Sequence, residues 1–160
     1  MDWDTLPEWA RDYLRSDPRA ITFRQPAEAL IVAGHKRVEN RTTKWHPDTI
    51  RDRWVALHAG KKKSDHGTFR PTIEALIDDP PCSVIRAIAQ LKDIVPHSES
   101  TVAEFGEYAT GPYCITIRHL YVLHKPLTGI GGHLNFWKLL PQTVHALAHS
   151  IVHHGVTALY

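Results

Sequence analysis

Apolar positions along this chain change period several times, and each change marks an element. In LPEWARDYLRSDP, Leu6, Trp9, Ala10, Tyr13 and Leu14 recur at helical spacing and stop before Pro18, which predicts a short amphipathic helix packed on the body. AITFRQ (20–25) alternates as a half-buried strand does. Pro26 then opens PAEALIVAG, a helix that Gly34 would end in a left-handed conformation. KRVENR (36–41) reads as extended, WVALHAG (54–60) as an apolar strand, RPTIEALIDD (70–79) as a helix and SVIRAIAQLKDI (83–94) as another strand. The segment 96–112 is loop-like with a helical turn, and YCITIRHLYVLH (113–124) is a long strand. KPLTGIGGHLNFWKLLP (125–141) is a turn-rich closing element, and QTVHALAHSIVHHGV (142–156) is a final helix. Strands mixed with short helices, without a repeat or a low-complexity linker, predict a small α+β domain built on a curled sheet or barrel.

Composition narrows this to one ordinary domain. The 160 residues are 42% hydrophobic and 22% charged, enough for a real core but not for a second full domain. No run approaches the roughly 20 apolar residues that cross a bilayer, and the opening residues are acidic without an apolar signal core. A cytoplasmic protein with no membrane partner is therefore expected. Cys82 and Cys114 lack a CxxC spacing, so they are expected to be reduced, buried thiols rather than a disulfide or a zinc site.

A formal charge of +2 does not announce a polyanion partner, but its distribution is uneven. Between Arg24 and Arg70 lie eleven Lys and Arg residues against five carboxylates, with His35, His46, His58 and His66 able to add charge in mild acid. Acid gathers elsewhere, at Asp2, Asp4, Glu8, Asp78, Asp79, Glu99, Glu104 and Glu107. Within the basic span, the stretch AGHKRVENRTTKWHP (33–47) is the densest. An extended KRVENR would point Lys36, Val38 and Asn40 one way and Arg37, Glu39 and Arg41 the other. An irregular backbone after Gly34 would instead let Lys36 and Glu39 converge on one cleft. Lys36 and Arg41 can neutralise a phosphate, and Glu39 can receive a base amino group or hold Arg41. The alternative is a plain Glu39–Arg41 surface pair that contributes little. Trp45 and the Phe136–Trp137 pair are candidates to stack on an unpaired base, although Trp137 equally suits the core. GKKKSDHG (60–67) reads as a phosphate-contacting arm or as a solvated loop.

Three blocks, ITFRQPAEALIVAGHKRVENRT, WVALHAGKK and GPYCITIRHLYVLHKPLTGIGGHLNFWKL, together resemble the ASCH family, the activating-signal-cointegrator homology domains of the PUA-like superfamily. The GxKxxExR pattern stands as Gly34, Lys36, Glu39 and Arg41, and the resemblance covers about residues 20 to 140. It implies a PUA-like β-barrel flanked by short helices for the ASCH domain (19–140), and says nothing of the N-terminal helical extension (1–18) or the C-terminal helix (141–160), which are read from the residues alone. It further implies recognition of RNA or a modified single-stranded nucleic acid in a basic cleft, through Arg24, Gln25, Lys36, Arg37, Glu39, Arg41, Lys44, Trp45, His58 and Lys61. No cofactor is implied.

The same resemblance brings an enzyme reading, because some relatives hydrolyse acetylated cytidine and others have been assigned ribonuclease activity. In those amidohydrolases a lysine in the glycine turn activates a threonine three positions on, and a later glutamate shuttles the proton. Lys36 matches the lysine, but Glu39 occupies the threonine position, and Thr42 and Thr43 are not shown to replace it. Glu104 or Glu107 would have to serve as the shuttle. If the chain is an enzyme, Lys36 and Glu39 are the expected acid and base of a small hydrolase, and His58 would contribute to RNA cleavage or sit satisfied in the core.

Twelve histidines are many for this length. His145, His149 and His153 stand four apart and would stack on one helix face, the spacing of paired zinc ligands. No acidic ligand lies in that run, and Ala146 stands where a catalytic zinc motif wants glutamate. The expectation is therefore no metal, with these histidines on the polar side of a helix whose Val144, Leu147, Ala148, Ile151 and Val152 face the body. That helix could alternatively dock a second subunit, making the chain an interaction module and a homodimer.

Overall fold

The computed structural model describes residues 3–63 and 79–160. The helix expected over 70–79, apart from Asp79, and residues 64–67 of the 60–67 arm lie outside the described residues. Among those described, an initial helix α1 (Glu8–Arg15) leads into β1 (Arg19–Gln25), α2 (Ala27–Val32), β2 (Val38–Arg41) and α3 (Pro47–Ile50). There follow β3 (Trp54–Lys63), β4 (Val84–Pro96), α4 (Glu99–Phe105), β5 (Tyr113–Leu127), β6 (Phe136–Lys138), α5 (Pro141–His154) and β7 (Val156–Ala158). The strands form one mixed sheet in the order β2-β5-β4-β3-β1-β6, with β7 also pairing β5. Among the described strands only β1 and β3 run parallel, across a crossover that carries α2, β2 and α3.

Both faces of the sheet are buried, which is why its central strands read as nearly continuous apolar runs. Ala20, Ala56, Ile85, Ile88 and Leu123 point to one face, where they meet Leu6, Ala10, Tyr13 and Leu14 from the N-terminal region and Leu147, Ala148 and Ile151 of α5. Ile21, Phe23, Val55, Leu57, Ala87, Ala89, Leu91 and Ile115 point to the other, against Ile31 of α2 and Ile50 at the end of α3. The two helical ends of the chain thus share one core with the sheet. No helix among the described residues is long and apolar enough to cross a membrane.

The architecture is α+β as expected, but the sheet is not closed into a barrel. β2 and β6 end the strand order and share no backbone ladder. A side-chain contact spans them instead: the Trp45 ring, in the loop after β2, lies 4.8 Å from that of Phe136 on β6. Two further differences are local. The 96–112 segment holds a seven-residue helix, α4, because Ser98 accepts a hydrogen bond from the Thr101 N–H and caps its first turn. Cys114 is buried, but Cys82 is only partly so.

Bulges re-aim individual side chains along the ladders. Leu57 faces Ala87 while His58 faces Ile85, leaving Arg86 as the extra residue on β4. Between Leu91 and Ile94 a second irregularity sets two β4 residues against Thr116, whose hydroxyl is 3.2 Å from the Asp93 N–H and accepts from it.

Candidate functional site

The site begins at a turn. The Gly34 N–H donates to the Ile31 carbonyl, and those of His35 and Lys36 both donate to Leu30, closing the end of α2 with Gly34 at φ +83. Because β2 starts only at Val38, Lys36 is not held to strand alternation. Its ammonium reaches Glu39 at 3.3 Å, with the lysine side chain only 2% exposed and the glutamate 13%. Of the two geometries open to KRVENR, the irregular one is therefore observed. Within β2 the alternation holds. Val38 and Asn40 face Cys114 and the 108–111 loop, whereas Glu39 sits opposite Ile115 and Arg41 opposite Tyr113 on the other face.

Asn40 pins the surroundings. Its amide donates to the Tyr108 carbonyl at 2.8 Å, and its oxygen accepts from the Thr110 and Gly111 N–H groups at 3.1 Å each and from the Cys114 thiol at 3.5 Å. Burial pushes the Cys114 thiol pKa up, so it stays protonated as that donor.

Arg41 is the unusual member. Its side chain is 20% exposed, its Nε lies 3.7 Å from a Glu39 carboxylate oxygen, and its guanidinium carbon stands 4.8 Å over the Trp45 ring. Nε and one terminal nitrogen are both buried and have no hydrogen-bond partner. A guanidinium does not deprotonate, so these donors cannot be silenced by losing a proton. Lys36, Glu39 and Arg41 together leave one positive charge and two unmade hydrogen bonds on the edge strand, next to the unpaired side of the sheet.

The other expected residues separate. Arg37 is exposed, its guanidinium 4.2 Å over Tyr160 near the C-terminus, and burial of that phenol raises its pKa against the pull of Arg37. Arg24, Lys44 and Lys61 are exposed. Trp45 is half-buried, with Arg41 over it and Phe136 tilted against it, so it is not a bare stacking platform. Arg53 extends this strip, 5.9 Å from the Phe136 ring.

Gln25 and His58 belong to two closed buried networks. The Gln25 amide donates to Glu28 at 2.9 Å and to the Pro81 carbonyl at 2.8 Å, while its oxygen accepts from the Ala29 N–H. Glu28 is fully buried and takes both arms of the Arg86 guanidinium, the side chain that the β4 bulge releases. Nothing in the sequence singled out Glu28 or Arg86, which stand 58 residues apart. His58 is 2% exposed. Its Nε2 lies 2.8 Å from the Ile130 carbonyl, which can only accept, so that nitrogen carries the hydrogen and Nδ1 accepts from the Thr22 hydroxyl at 3.1 Å. The Thr22 oxygen in turn accepts from the Trp137 indole at 3.0 Å. Burial lowers the His58 pKa and keeps it neutral. Trp137 is thus a core residue, as one of its two readings held.

A hollow of about 360 Å³ lies between β4 and α4, lined among others by Lys92, Asp93, Ser98, Thr101, Glu104 and Thr116. Thr116 pairs with Val38, so the hollow adjoins the face of β2 and β5 opposite to Glu39 and Arg41. Lys36, Glu39 and Arg41 do not line it. Among the described residues no group of three or more His, Cys, Asp or Glu side chains is placed to hold a metal ion.

Fold and site define an α+β domain with a buried, incompletely bonded cationic cluster on an edge strand. No family model and no curated protein matches the chain. Solved structures do. An ASCH protein from Zymomonas mobilis aligns in its unmutated form and as two variants, each time at 15% identity and over 82% of this chain. A serine-to-alanine variant gives a TM-score of 0.49 over 94% of its own length. The unmutated protein gives 0.46 over 93%, and a tyrosine-to-phenylalanine variant gives 0.46 over 96%.

Proposed function

We propose that the chain is an ASCH-type module that binds RNA or a modified single-stranded nucleic acid on the Lys36–Glu39–Arg41 face of β2. The carrying observation is the Arg41 guanidinium, buried with two nitrogens unbonded. An unmade bond to a buried charged donor is costly, and a phosphate or base carbonyl oxygen would complete it with a charge-assisted bond. Lys36 holds Glu39, and Glu39 in turn steadies Arg41 and keeps a free acceptor for a base amino group. Recognition in this scheme is by oxygen acceptors, with Trp45 positioning Arg41 rather than stacking alone on a base. Exposed Lys44 would supply a sequence-independent phosphate contact.

The buried Lys36–Glu39 pair also suits proton transfer, which keeps hydrolysis of an acylated nucleoside or of RNA as the second reading. One experiment separates them. Labelled single-stranded RNA and DNA are titrated at two salt concentrations with wild type and Arg41→Ala, while a parallel sample is incubated with acetylated cytidine. Salt-sensitive binding that the variant loses, with the nucleoside intact, supports the reader. Turnover that Lys36→Ala abolishes supports the hydrolase, and silence in both assays sinks both.

A further inference from the structure

Helix α5 is unusual for a helix at a surface. Its inner side is committed to the chain's own core through Leu147, Ala148 and Ile151, with Val144 and Val152 packed alongside. A solvated outer side normally carries Lys, Arg, Glu or Asp, yet Pro141–His154 contains none of them. Its exposed residues include Gln142, His145, Ala146, His149, His153 and His154. Two of these histidines are already neighbours: the His149 and His153 rings stand 4.3 Å apart, tilted by 42°. One turn earlier, His145 is drawn off toward Trp3, at 5.9 Å. The turn bearing His153 is anchored, because His124 Nδ1 donates to the His154 carbonyl at 2.8 Å and Gly155 closes the helix.

We propose that His149 and His153 form half of a divalent transition-metal site, completed by the same pair from a second copy of the chain. Two neutral imidazoles spaced one helical turn apart can share an ion of the zinc type. One chain supplies only two such ligands here, since no group of three is assembled among the described residues. Zinc takes four ligands in a closed tetrahedral site, and a two-fold axis through the ion supplies two from each copy. The uncharged outer side lets the two helices approach without like charges meeting. Self-association through α5 then runs through its histidines, since its apolar side is already covered.

The test is sedimentation velocity of the full chain at neutral pH, with zinc chloride or with EDTA, combined with metal analysis of the separated species. The expected result is a zinc-dependent dimer holding one ion per two chains, monomeric in EDTA, lost in His149→Ala and in His153→Ala and retained in His145→Ala. All three side chains are exposed, and thermal melts check that each variant is folded. A chain that stays monomeric in zinc overturns the proposal. So does a dimer that survives EDTA or both substitutions, or an ion bound to each monomer without association.

Discussion

Two buried polar regions of this molecule look alike in composition and differ in completeness. Around His58 every hydrogen-bonding atom has a partner, in a chain running from the Trp137 indole through Thr22 and the imidazole to the Ile130 carbonyl. The Gln25–Glu28–Arg86 network is similarly closed. Around Arg41 two buried nitrogens are left over. Burial and polarity therefore do not separate the two regions, whereas unfilled bonding capacity does. A closed network has nothing to offer a ligand, and removing any member costs stability. An open one has donors left for the ligand proposed above.

The comparison breaks if the closed networks prove dispensable. Glu28→Ala leaves the Arg86 guanidinium without its buried carboxylate, and denaturant unfolding should show a loss of about 3 kcal/mol, the low end for a broken buried pair because Arg86 still reaches water. Gly132→Ala comes next. An added Cβ would lie 2.3 Å from His58 Cε1, 2.4 Å from Nδ1 and 2.7 Å from the Thr22 hydroxyl, and the imidazole cannot yield while both nitrogens are bonded. A loss of about 2 kcal/mol is expected from the forced displacement, read as a lowered Tm. If either substitution leaves stability untouched, the closed networks are not structural.

pH sharpens the same contrast. His58 titrates below its unfolded value because burial disfavours the imidazolium, so the unfolded chain takes up this proton first. Its contribution to stability is full above about pH 6.5 and is lost as the pH falls below that value. The difference between wild type and His58→Gln, followed by thermal melts across that window, isolates this residue from the other histidines. A difference that does not change with pH would contradict the buried neutral assignment.

Arg41→Ala should have the smallest effect on stability. It removes a contact with Trp45 and a 3.7 Å ion pair with Glu39, which Lys36 still neutralises, but no complete hydrogen bond, so unfolding should shift by no more than about 1 kcal/mol while nucleic-acid binding is lost. A large destabilisation with binding intact would move Arg41 into the same class as His58.

Much of the fold was legible where structure is local. Helical spacing found α1 and α5, and glycine chemistry found the end of α2. Strands β6 and β7, three residues each, are too short to show a period and exist because β1 and β5 offer them edges. Helix α4 was readable in principle from Ser98 ahead of Thr101, a capping signal weaker than the surrounding turn residues. In the candidate site, the convergence of Lys36 on Glu39 followed from Gly34 as one of two options. The clamp by Asn40 did not, since its partners lie about 70 residues further on, at 108–111. Of the two readings open to His58, a part in RNA cleavage or a satisfied place in the core, both ring nitrogens being partnered fits the second.

By itself, then, the sequence determined periods, caps, the glycine-led reversal after α2 and the clustering of charge, because these depend on residues within one or two turns of each other. Tertiary structure decided which edges stay unpaired, which bulge frees Arg86 for Glu28, and whether a buried donor has a partner. Those outcomes depend on groups brought together across the sheet from distant parts of the chain, and no local pattern encodes whether the partner will be there.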